Sequence, residues 1–245
     1  TNRLPYCFYR TICSANEGTI DREPSRPVTP ADDRDILAEG SAALGQPLDQ
    51  GQVSTLLRLL DELERWNKKF NLTAIRDRQS MLTLHILDSL AVRPWLSGST
   101  VLDVGTGAGF PGLPLAITEP GLRFVLLDSN NKKIQFVRHV AMLLGLENVA
   151  AVKARAEDYA PGERFDTVIA RAVAEMATLV NMAGHHVGEG GMFVALKGRY
   201  PADEINKLPD PWEARVHLLS VPGLEQGSRH LVQMQRRAGE NEERI

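Results

Sequence analysis

The sequence has few cysteines, no long apolar run and no excess of positive charge. Its two cysteines, Cys7 and Cys13, lie close together early in the chain. They do not form a disulfide framework, and their scarcity suits a reducing compartment. No stretch of about 18 apolar residues occurs, so no transmembrane helix is expected, and the first residues lack the apolar core of a signal peptide. These absences predict a cytoplasmic protein.

The charge balance is slightly acidic, with 28 Lys and Arg against 31 Asp and Glu and a formal net charge of −3. This balance excludes a protein that holds nucleic acid through bulk positive charge, so an RNA or DNA partner would need a local basic surface. Hydrophobic residues make up 43% and charged residues 24% of the 245 residues, which is typical of one or two folded globular domains.

Shifts in composition divide the chain into four parts. Residues 1–30 are interrupted by prolines and show no period, so we expect a flexible N-terminal arm. Residues 31–98 carry apolar residues at helical spacing, with helices expected from about Asp32 and over 49–70 and 79–95. Residues 99–237 form a separate α/β part, and 238–245 form a tail.

The α/β part alternates between short apolar runs and helical patterns. Strands are expected at 101–104, 124–128, 149–154, 166–170 and 192–197, with helices at 111–118, 131–144 and 174–186 between them. Such alternation predicts βαβ units and a mostly parallel sheet. The last two strands, at 214–220 and 230–236, are joined by a turn-rich segment too short for a crossover helix, which predicts an antiparallel pair.

The strongest local signal is DVGTGAGFPG at residues 103–112, which follows a strand and precedes a helix. Gly105, Gly107 and Gly109 have the spacing G-x-G-x-G, whereas the dinucleotide fingerprint requires G-x-G-x-x-G. No G-K-S/T follows, which excludes a P-loop. Glycines at these positions allow a sharp turn and a close approach of a ligand to the backbone.

An acidic residue accompanies this glycine turn. Asp128 ends the next expected strand, 23 residues after Gly105, and a carboxylate there can accept hydrogen bonds from both hydroxyls of a ribose. Ligands of open α/β sheets bind at the carboxyl ends of the strands, so the turn and Asp128 are expected at one edge. The alternative is a purely structural turn with a capping aspartate.

Wider motifs resemble one family of class I methyltransferases. The motifs are WNKKFNLTAI (66–75), HILDSL (85–90), DVGTGAGFPGLPLAI (103–117), LLDSNNKK (126–133), RFDTVIARAVA (164–174), ALKG (195–198) and RHLV (229–232). Their order and spacing, from about residue 35 to about residue 236, resemble the bacterial 16S rRNA guanine-N7 methyltransferase G family, formerly called glucose-inhibited division protein B. The resemblance implies a Rossmann-like class I methyltransferase sheet.

The resemblance also implies a cofactor and a substrate. The cofactor is S-adenosylmethionine, converted to S-adenosylhomocysteine, and the substrate is a guanosine in the 530 loop of 16S rRNA within the 30S subunit or its precursor. No membrane partner is implied, and nothing in the sequence demands more than a monomer. The expected cofactor-binding residues are Asp103, Gly105, Gly107, Gly109, Phe110, Asp128, Ala156, Glu157 and Arg171. Glu157 by itself is equally typical of a solvated carboxylate at a helix start.

Basic residues follow four consecutive strands of the expected sheet. Lone cations are usually solvated surface charges, but several at one sheet edge indicate an RNA-facing role. The expected RNA-binding residues are Lys132, Arg155, Lys197 and Arg229, the last of which matches a basic residue of the family. Arg171 and Lys197 are expected to hold the target nucleotide by its base or its phosphate, and are the candidate catalytic residues.

The implied reaction explains why no catalytic triad is visible. Guanine N7 carries an in-plane lone pair and no proton, so it needs no general base. The enzyme mainly has to align the reacting atoms and exclude water, which contributes up to roughly 7–11 kcal/mol.

The helical part offers weaker signals. Lys68, Lys69, Arg76 and Arg78 suggest that it docks on RNA. Trp66 and Phe70 are more typical of core than of base stacking. His85 and Asp88 lie three residues apart on one expected helix face, which favours a structural His–Asp pair over substrate contact. No metal is expected, because the adjacent His185 and His186 and the two cysteines lack ligand spacing.

Three other functions remain open from the residues alone. The first is a class I methyltransferase with a small-molecule or protein substrate, which the net charge of −3 favours and the strand-end cations oppose. The second is a non-enzymatic module that binds S-adenosylmethionine or RNA. The third is a dehydrogenase, which the misplaced third glycine makes the weakest of the three.

Overall fold

The computed structural model describes residues 32–171, 174–224 and 228–237. The expected arm at 1–30 and the tail at 238–245 lie outside the described residues. Within them, the helices are α1 (Asp33–Ala43), α2 (Gln50–Phe70), α3 (Arg78–Met81), α4 (Asp88–Leu90), α5 (Gly112–Thr118), α6 (Asn131–Leu144), α7 (Met176–Ala183) and α8 (Ala202–Ile205). A π-helix (Leu82–Leu87) joins α3 to α4, and 3₁₀ turns occupy Arg93–Trp95 and Gly184–His186.

Seven strands form a single sheet. They are β1 (Thr100–Val104), β2 (Arg123–Asp128), β3 (Val149–Lys153), β4 (Phe165–Arg171), β5 (Val187–Lys197), β6 (Trp212–Leu219) and β7 (Arg229–Arg236). Their order is β3-β2-β1-β4-β5-β7-β6, and β7 runs antiparallel to both of its neighbours while the first five strands are parallel. The predicted α/β class and the antiparallel final pair are confirmed.

Alternation along the strands divides the core into two layers. One face of the sheet, including Val101 and Phe124, packs against α1 to α6. The other face, including Leu102 and Val125, packs against α7 and α8. Because side chains alternate across a strand, each central strand is buried on both sides, which explains its continuous apolar sequence.

Helix termini follow the sequence closely where a capping residue marks them. Asp49 and Gln52 form a reciprocal capping box at the start of α2, and the helix ends at Asn71 in the left-handed conformation. Asn130 caps α6 and Gly145 ends it, so the predicted helix at 131–144 is confirmed. These side chains satisfy backbone groups that a helix leaves unpaired.

Three expected elements differ from the structure. The helix expected at 79–95 is interrupted by the π-helix and ends earlier, at Leu90. The helix expected at 174–186 covers only Met176–Ala183 before a 3₁₀ turn, and β5 begins at Val187 rather than 192 because an irregular register beside β4 accommodates Gly190. Apolar spacing does not distinguish an α-helix from one with a π turn, and glycines concealed the start of β5.

Candidate active site

A cavity of about 510 Å³ lies at the carboxyl ends of the parallel strands. It is lined by the segments that follow β1, β2 and β3, by the end of β4, by Met182 of α7, and by three residues of the helical part. The lining residues expected from the sequence are Gly105, Gly107, Phe110, Asp128, Arg155, Ala156, Glu157 and Arg171. The strand-end position agrees with the general location of ligands in open α/β sheets.

The glycine turn owes its shape to backbone angles that favour glycine. Gly105, Gly107 and Gly109 all have positive φ angles, of 68°, 62° and 87°. A Cβ at Gly109 would overlap the side chain of Leu113, so this glycine also permits close packing behind the turn. At Gly107 a Cβ would stand in nearly open space, and there the backbone angle alone requires glycine.

Asp103 stands behind this turn and does not line the cavity. Its fully buried carboxylate accepts hydrogen bonds from Thr106 Oγ1 at 2.6 Å and from the Gly112 amide at 2.9 Å. Burial raises the pKa of Asp103 to about 6, against the opposing effect of these hydrogen bonds. Asp103 and Gly109 therefore shape the turn from behind, and neither of them lines the cavity.

Asp128 joins the glycine turn to the next loop. One carboxylate oxygen accepts from the Gly107 amide at 2.9 Å, and the other accepts from the Asn130 amide at 2.7 Å. A carboxylate has about four acceptor positions, so both oxygens can still accept from a ligand. The side chain is half-buried and lines the cavity.

The loop after β3 forms the opposite wall. Ala156 is buried, and its carbonyl is held by Nε2 of the buried His186 at 2.9 Å. Arg155 and Glu157, on either side of it, are exposed at the rim. Lys133 also lines the cavity, whereas the expected RNA-binding residue Lys132 is exposed outside it.

A second cavity of about 310 Å³ adjoins the first and shares two residues with it, His85 and Arg171. Its other lining residues are Ile75, Leu84, Asp88, Leu196, Lys197, Gly198 and Arg229. The expected residues Arg171, Lys197 and Arg229 are thus brought together here. Lys132 and Arg155 are not among its lining residues.

Asp88 lies between two arginines from different strands. Its side chain is 3% exposed and accepts from Arg229 Nε at 2.9 Å and from Arg171 Nη1 at 3.4 Å. Burial lowers the pKa of the Arg171 guanidinium, while the negative charge of Asp88 opposes that shift. The expected His85–Asp88 pair is wrong, because the π-helix changes which side chains face each other and Asp88 binds the two arginines instead.

Lys197 is held by other protein groups. Its ammonium donates to the Ala174 carbonyl at 2.8 Å and to Glu204 at 2.7 Å. The same Glu204 oxygen accepts from the Met176 amide, so this contact ties β5 to α7 and α8. Much of the charge of Lys197 is neutralised within the protein.

His85 lies in the wall between the two cavities, although its sequence position favours a purely structural role. Its ring stacks on Phe110 with centroids 4.5 Å apart, and Nε2 lies 3.1 Å from Thr73 Oγ1. Burial, and then the charge of Arg171, lower its pKa to about 3, so the ring is neutral at pH 7. Leu72, Thr73 and Met182 also line the first cavity without having been expected. Position in the HILDSL motif was the one available signal for His85.

The basic residues of the helical part differ in their surroundings, because one is paired with acidic residues and the others are exposed. Arg78 makes ion pairs with Asp33 at 2.8 Å, Asp61 at 2.9 Å and Glu64 at 3.3 Å, so it joins three helices. The expectation that Arg78 faces RNA is therefore wrong in this structure, whereas Lys68, Lys69 and Arg76 are exposed.

Trp66 packs on the core, as expected. Its ring contacts Phe136 with centroids 5.6 Å apart. The same expectation is wrong for Phe70, which lies at the end of α2 and is 41% exposed.

The described residues provide neither a cluster of metal ligands nor a membrane-spanning helix. No group of three or more His, Cys, Asp or Glu side chains there is arranged to hold a metal ion. None of the described helices combines the length and the apolar composition needed to cross a membrane.

The residues present fit S-adenosylmethionine. The turn between β1 and α5 exposes backbone at Gly105 and Gly107, and Asp128 supplies an acceptor at the end of β2 for a pair of ribose hydroxyls. The apolar Phe110 and Met182 and the loop at Ala156 complete the lining on either side. A concave cleft that combines apolar side chains with polar groups at fixed places is typical of a small-molecule site.

Comparisons with known proteins agree with this geometry. A family model described as rRNA small subunit methyltransferase G matches residues 52–232. A protein of Nitrosococcus oceani named ribosomal RNA small subunit methyltransferase G is 47% identical over 208 residues, covering 84% of this chain and 97% of that protein. One of the same name from Aeromonas salmonicida is 49% identical over 183 residues, covering 74% and 88%.

Solved structures agree at the level of the fold. The glycopeptide N-methyltransferase MtfA, crystallised in complex with S-adenosylmethionine, superposes with a TM-score of 0.52 at 13% identity. The match covers 63% of this chain and 88% of that one. The sheet of this chain is therefore of the same kind as the sheet of that methyltransferase.

Proposed function

Since the chain belongs to the rRNA small subunit methyltransferase G family, we propose that it transfers a methyl group from S-adenosylmethionine to N7 of a guanosine in 16S rRNA. The target is a guanosine of the 530 loop, and the substrate is the 30S subunit or its precursor. The enzyme acts in the cytoplasm, as a monomer and without a membrane partner.

The observation that carries this proposal is the pair of adjoining cavities that share His85 and Arg171. The first contains the glycine turn and Asp128, and the second contains cations. A methyl donor in the first and a nucleotide in the second would meet at the shared wall. Alignment of the reacting atoms can lower the barrier by up to roughly 7–11 kcal/mol.

The reaction requires little proton transfer by the protein. S-adenosylmethionine, when bound, supplies a methyl carbon to which the N7 lone pair bonds as the C–S bond breaks and its electron pair stays on sulfur. Asp128 would accept from the ribose hydroxyls, and the turn at Gly105 and Gly107 would leave room for the donor against the backbone. The stacked rings of Phe110 and His85 would exclude water from the reacting atoms.

The basic residues would divide the work of holding RNA. Arg171 lines both cavities, so it is the residue best placed to act on the target nucleotide itself. Arg229 would act beside it. Arg155, exposed at the rim, and Lys132 farther along the same edge would contact neighbouring phosphates. Lys197 would contribute mainly by supporting this edge through Glu204, with a smaller direct role than the sequence suggested.

The test uses purified protein, tritiated S-adenosylmethionine and 30S subunits that lack N7 methylation, with borohydride–aniline cleavage to locate 7-methylguanosine. We expect one cleavage, in the 530 loop. If label enters no RNA while the cofactor still binds, the chain either methylates a small molecule or is a non-enzymatic module that binds S-adenosylmethionine. Label that survives ribonuclease treatment of an extract would support a small-molecule or protein substrate.

Cofactor binding is tested separately by calorimetry on Asp128→Ala. Hydrogen bonds to a charged acceptor contribute about 1.5–3 kcal/mol, so we expect the affinity to fall about tenfold or more. Asp158→Ala, which removes an exposed carboxylate outside the lining, is the matched control and should leave the affinity unchanged. Equal affinities in the two variants would contradict the assignment of Asp128.

A further inference from the structure

A single buried carboxylate holds two guanidinium groups at the second cavity. Arg171 ends β4 and Arg229 begins β7, and β5 lies between these strands in the sheet. Asp88 reaches them from the helical layer, with one carboxylate oxygen for each arginine. Residues from three separate parts of the chain therefore meet at one point. An ordinary surface ion pair does not require such an arrangement.

The contacts leave donors unused on both arginines. Arg229 gives Nε–H to Asp88, and Arg171 gives Nη1 to Asp88 and to the Leu84 carbonyl. Among the described residues, Nη1 and Nη2 of Arg229 and Nε and Nη2 of Arg171 have no hydrogen-bond partner within the protein. The two side chains are 25% and 20% exposed, so these donors are partly open to the second cavity.

The charge count of the cluster fits one anion. Two guanidiniums and one carboxylate leave a net charge of +1, and Lys197 is already paired with Glu204. A phosphodiester carries one negative charge and offers two oxygens, and arginine forks suit that geometry. A bidentate arginine contact with guanine N7 and O6 would occupy the atom that must be methylated, so the base edge is the poorer candidate.

The helix that carries Asp88 has an uncommon local form. The amide of Asp88 bonds to the Thr83 carbonyl, the wider spacing of the π-helix at Leu82–Leu87. Such segments are rare and are frequently found at functional sites. Here the segment brings His85 to the first cavity and Asp88 to the two arginines.

We propose that Asp88 is a positioning residue that holds Arg171 and Arg229 as a two-pronged clamp for a backbone phosphate next to the target guanosine. This inference rests on the proposed function and adds the group that the second cavity recognises. Because Arg171 also lines the first cavity, a phosphate held there fixes the distance of the nucleotide from the methyl donor.

Asp88→Asn separates positioning from simple attraction. If charge alone mattered, removal of a negative charge would strengthen binding to rRNA. If Asp88 positions the clamp, the variant should bind 30S subunits about tenfold or more weakly and react more slowly in single turnover. Rates are normalised to the fraction of protein that binds S-adenosylmethionine, so a loss of folded protein does not count as a loss of clamping.

Arg229 variants keep the test decisive if Asp88→Asn fails to fold. We expect Arg229→Gln to weaken binding about tenfold and to lower the slope of log affinity against log salt by about 1. Arg229→Lys keeps the charge but not the fork, and should restore the slope more than the rate. Arg215→Gln removes an exposed arginine of β6 outside both cavities and is the matched control.

The phosphate itself is tested with 30S subunits that contain a neutral methylphosphonate on either side of the target guanosine. One of the two should slow the wild-type protein about tenfold and have little further effect on Arg229→Gln. If the wild-type protein makes 7-methylguanosine but neither substitution separates it from Arg229→Gln, the clamp is wrong and the proposed function stands. If the wild-type protein makes none, the proposed function fails first.

Discussion

Asp103 is the residue at which burial and chemistry conflict most clearly. The glycine turn needs an acceptor for Thr106 and the Gly112 amide, and the carboxylate that provides it has no exposed surface. One of its oxygens, Oδ1, has no hydrogen-bond partner among the described residues. A charge in that place is costly, so the carboxyl holds its proton more tightly in the folded protein than in the unfolded chain.

This conflict predicts a pH dependence of stability. The pKa is about 6 in the fold and 3.8 in the ordinary state, so the folded state binds more protons between these values. The contribution of Asp103 to the free energy of unfolding should therefore fall by about 2 kcal/mol as pH rises from about 4 to about 6. Asp103→Asn should lose this dependence in urea titrations at a series of pH values.

The comparison depends on the difference between the two proteins, since other groups titrate in the same range. The difference should change between pH 4 and 6 and stay level above pH 7. Asp158→Asn, which changes an exposed carboxylate in the loop after β3, should show no such change relative to the wild type. If the difference in the free energy of unfolding between the two proteins stays constant from pH 4 to pH 8, the pKa of Asp103 is not raised in the fold.

Among the elements, β1 and β4 are joined at their amino ends by a carboxylate. Asp166 accepts from the Ser99 amide at 2.8 Å, the Thr100 amide at 3.0 Å and Thr100 Oγ1 at 2.9 Å. These hydrogen bonds, that of the Ser99 amide first, lower the pKa of Asp166. The contact fixes the entry of β1, whose other end carries the glycine turn.

We expect Asp166→Asn to lower the free energy of unfolding at pH 7 by about 2 kcal/mol, because an amide offers one neutral oxygen acceptor in place of the two charged oxygens of the carboxylate. A carboxyl with a lowered pKa stabilises the fold above its ordinary pKa and loses that effect as pH falls. The difference from the wild type should therefore shrink below about pH 4, as measured by urea titration. A difference that grows on acidification would contradict this account.

At the scale of the whole molecule, the helical layer and the sheet share one core. Leu60 and Leu63 of α2 belong to the same apolar cluster as Val101 of β1 and Phe136 of α6. The sequence suggested a helical part at 31–98 beside an α/β part at 99–237. A common core predicts that these two parts unfold together, because neither can expose its face of the cluster alone.

Tryptophans report on both parts. Trp66 lies in α2 and Trp212 in β6. A variant with Trp66 as its single tryptophan follows the helical layer, and a variant with Trp212 as its single tryptophan follows the sheet. We expect coincident unfolding curves, and we expect Leu60→Ala, at a fully buried site, to shift both by about 2–5 kcal/mol. Two separated transitions, with Leu60→Ala moving only the curve of Trp66, would show independent domains.

Net charge acts at this scale as well. An overall charge of −3 gives no general attraction to RNA, so the proposed function requires the cations at the strand ends to supply the binding. The structure divides these cations into groups with different surroundings. Arg155 and Lys132 are exposed, Arg171 and Arg229 share Asp88, and Lys197 is paired with Glu204.

The fold class, most element bounds and the position of the candidate cofactor site could be predicted from the residues alone. Capping residues and apolar periodicity are local, so α2 and α6 could be located without a structure. The glycine turn and Asp128 follow two adjacent strands, and the parallel sheet rule alone places them at one edge.

The pairing of the charged side chains became evident only in the folded protein. The partners of Asp88 lie 83 and 141 residues away, and Arg78 and Lys197 are each bound by acids that no local pattern pairs with them. The π-helix, which aims His85 and Asp88 in new directions, leaves the apolar spacing of the sequence intact. Long-range contacts depend on how whole elements pack. Packing sets the burial, the charge pairing and the pKa of each side chain, and the periodicity of the sequence does not encode these properties.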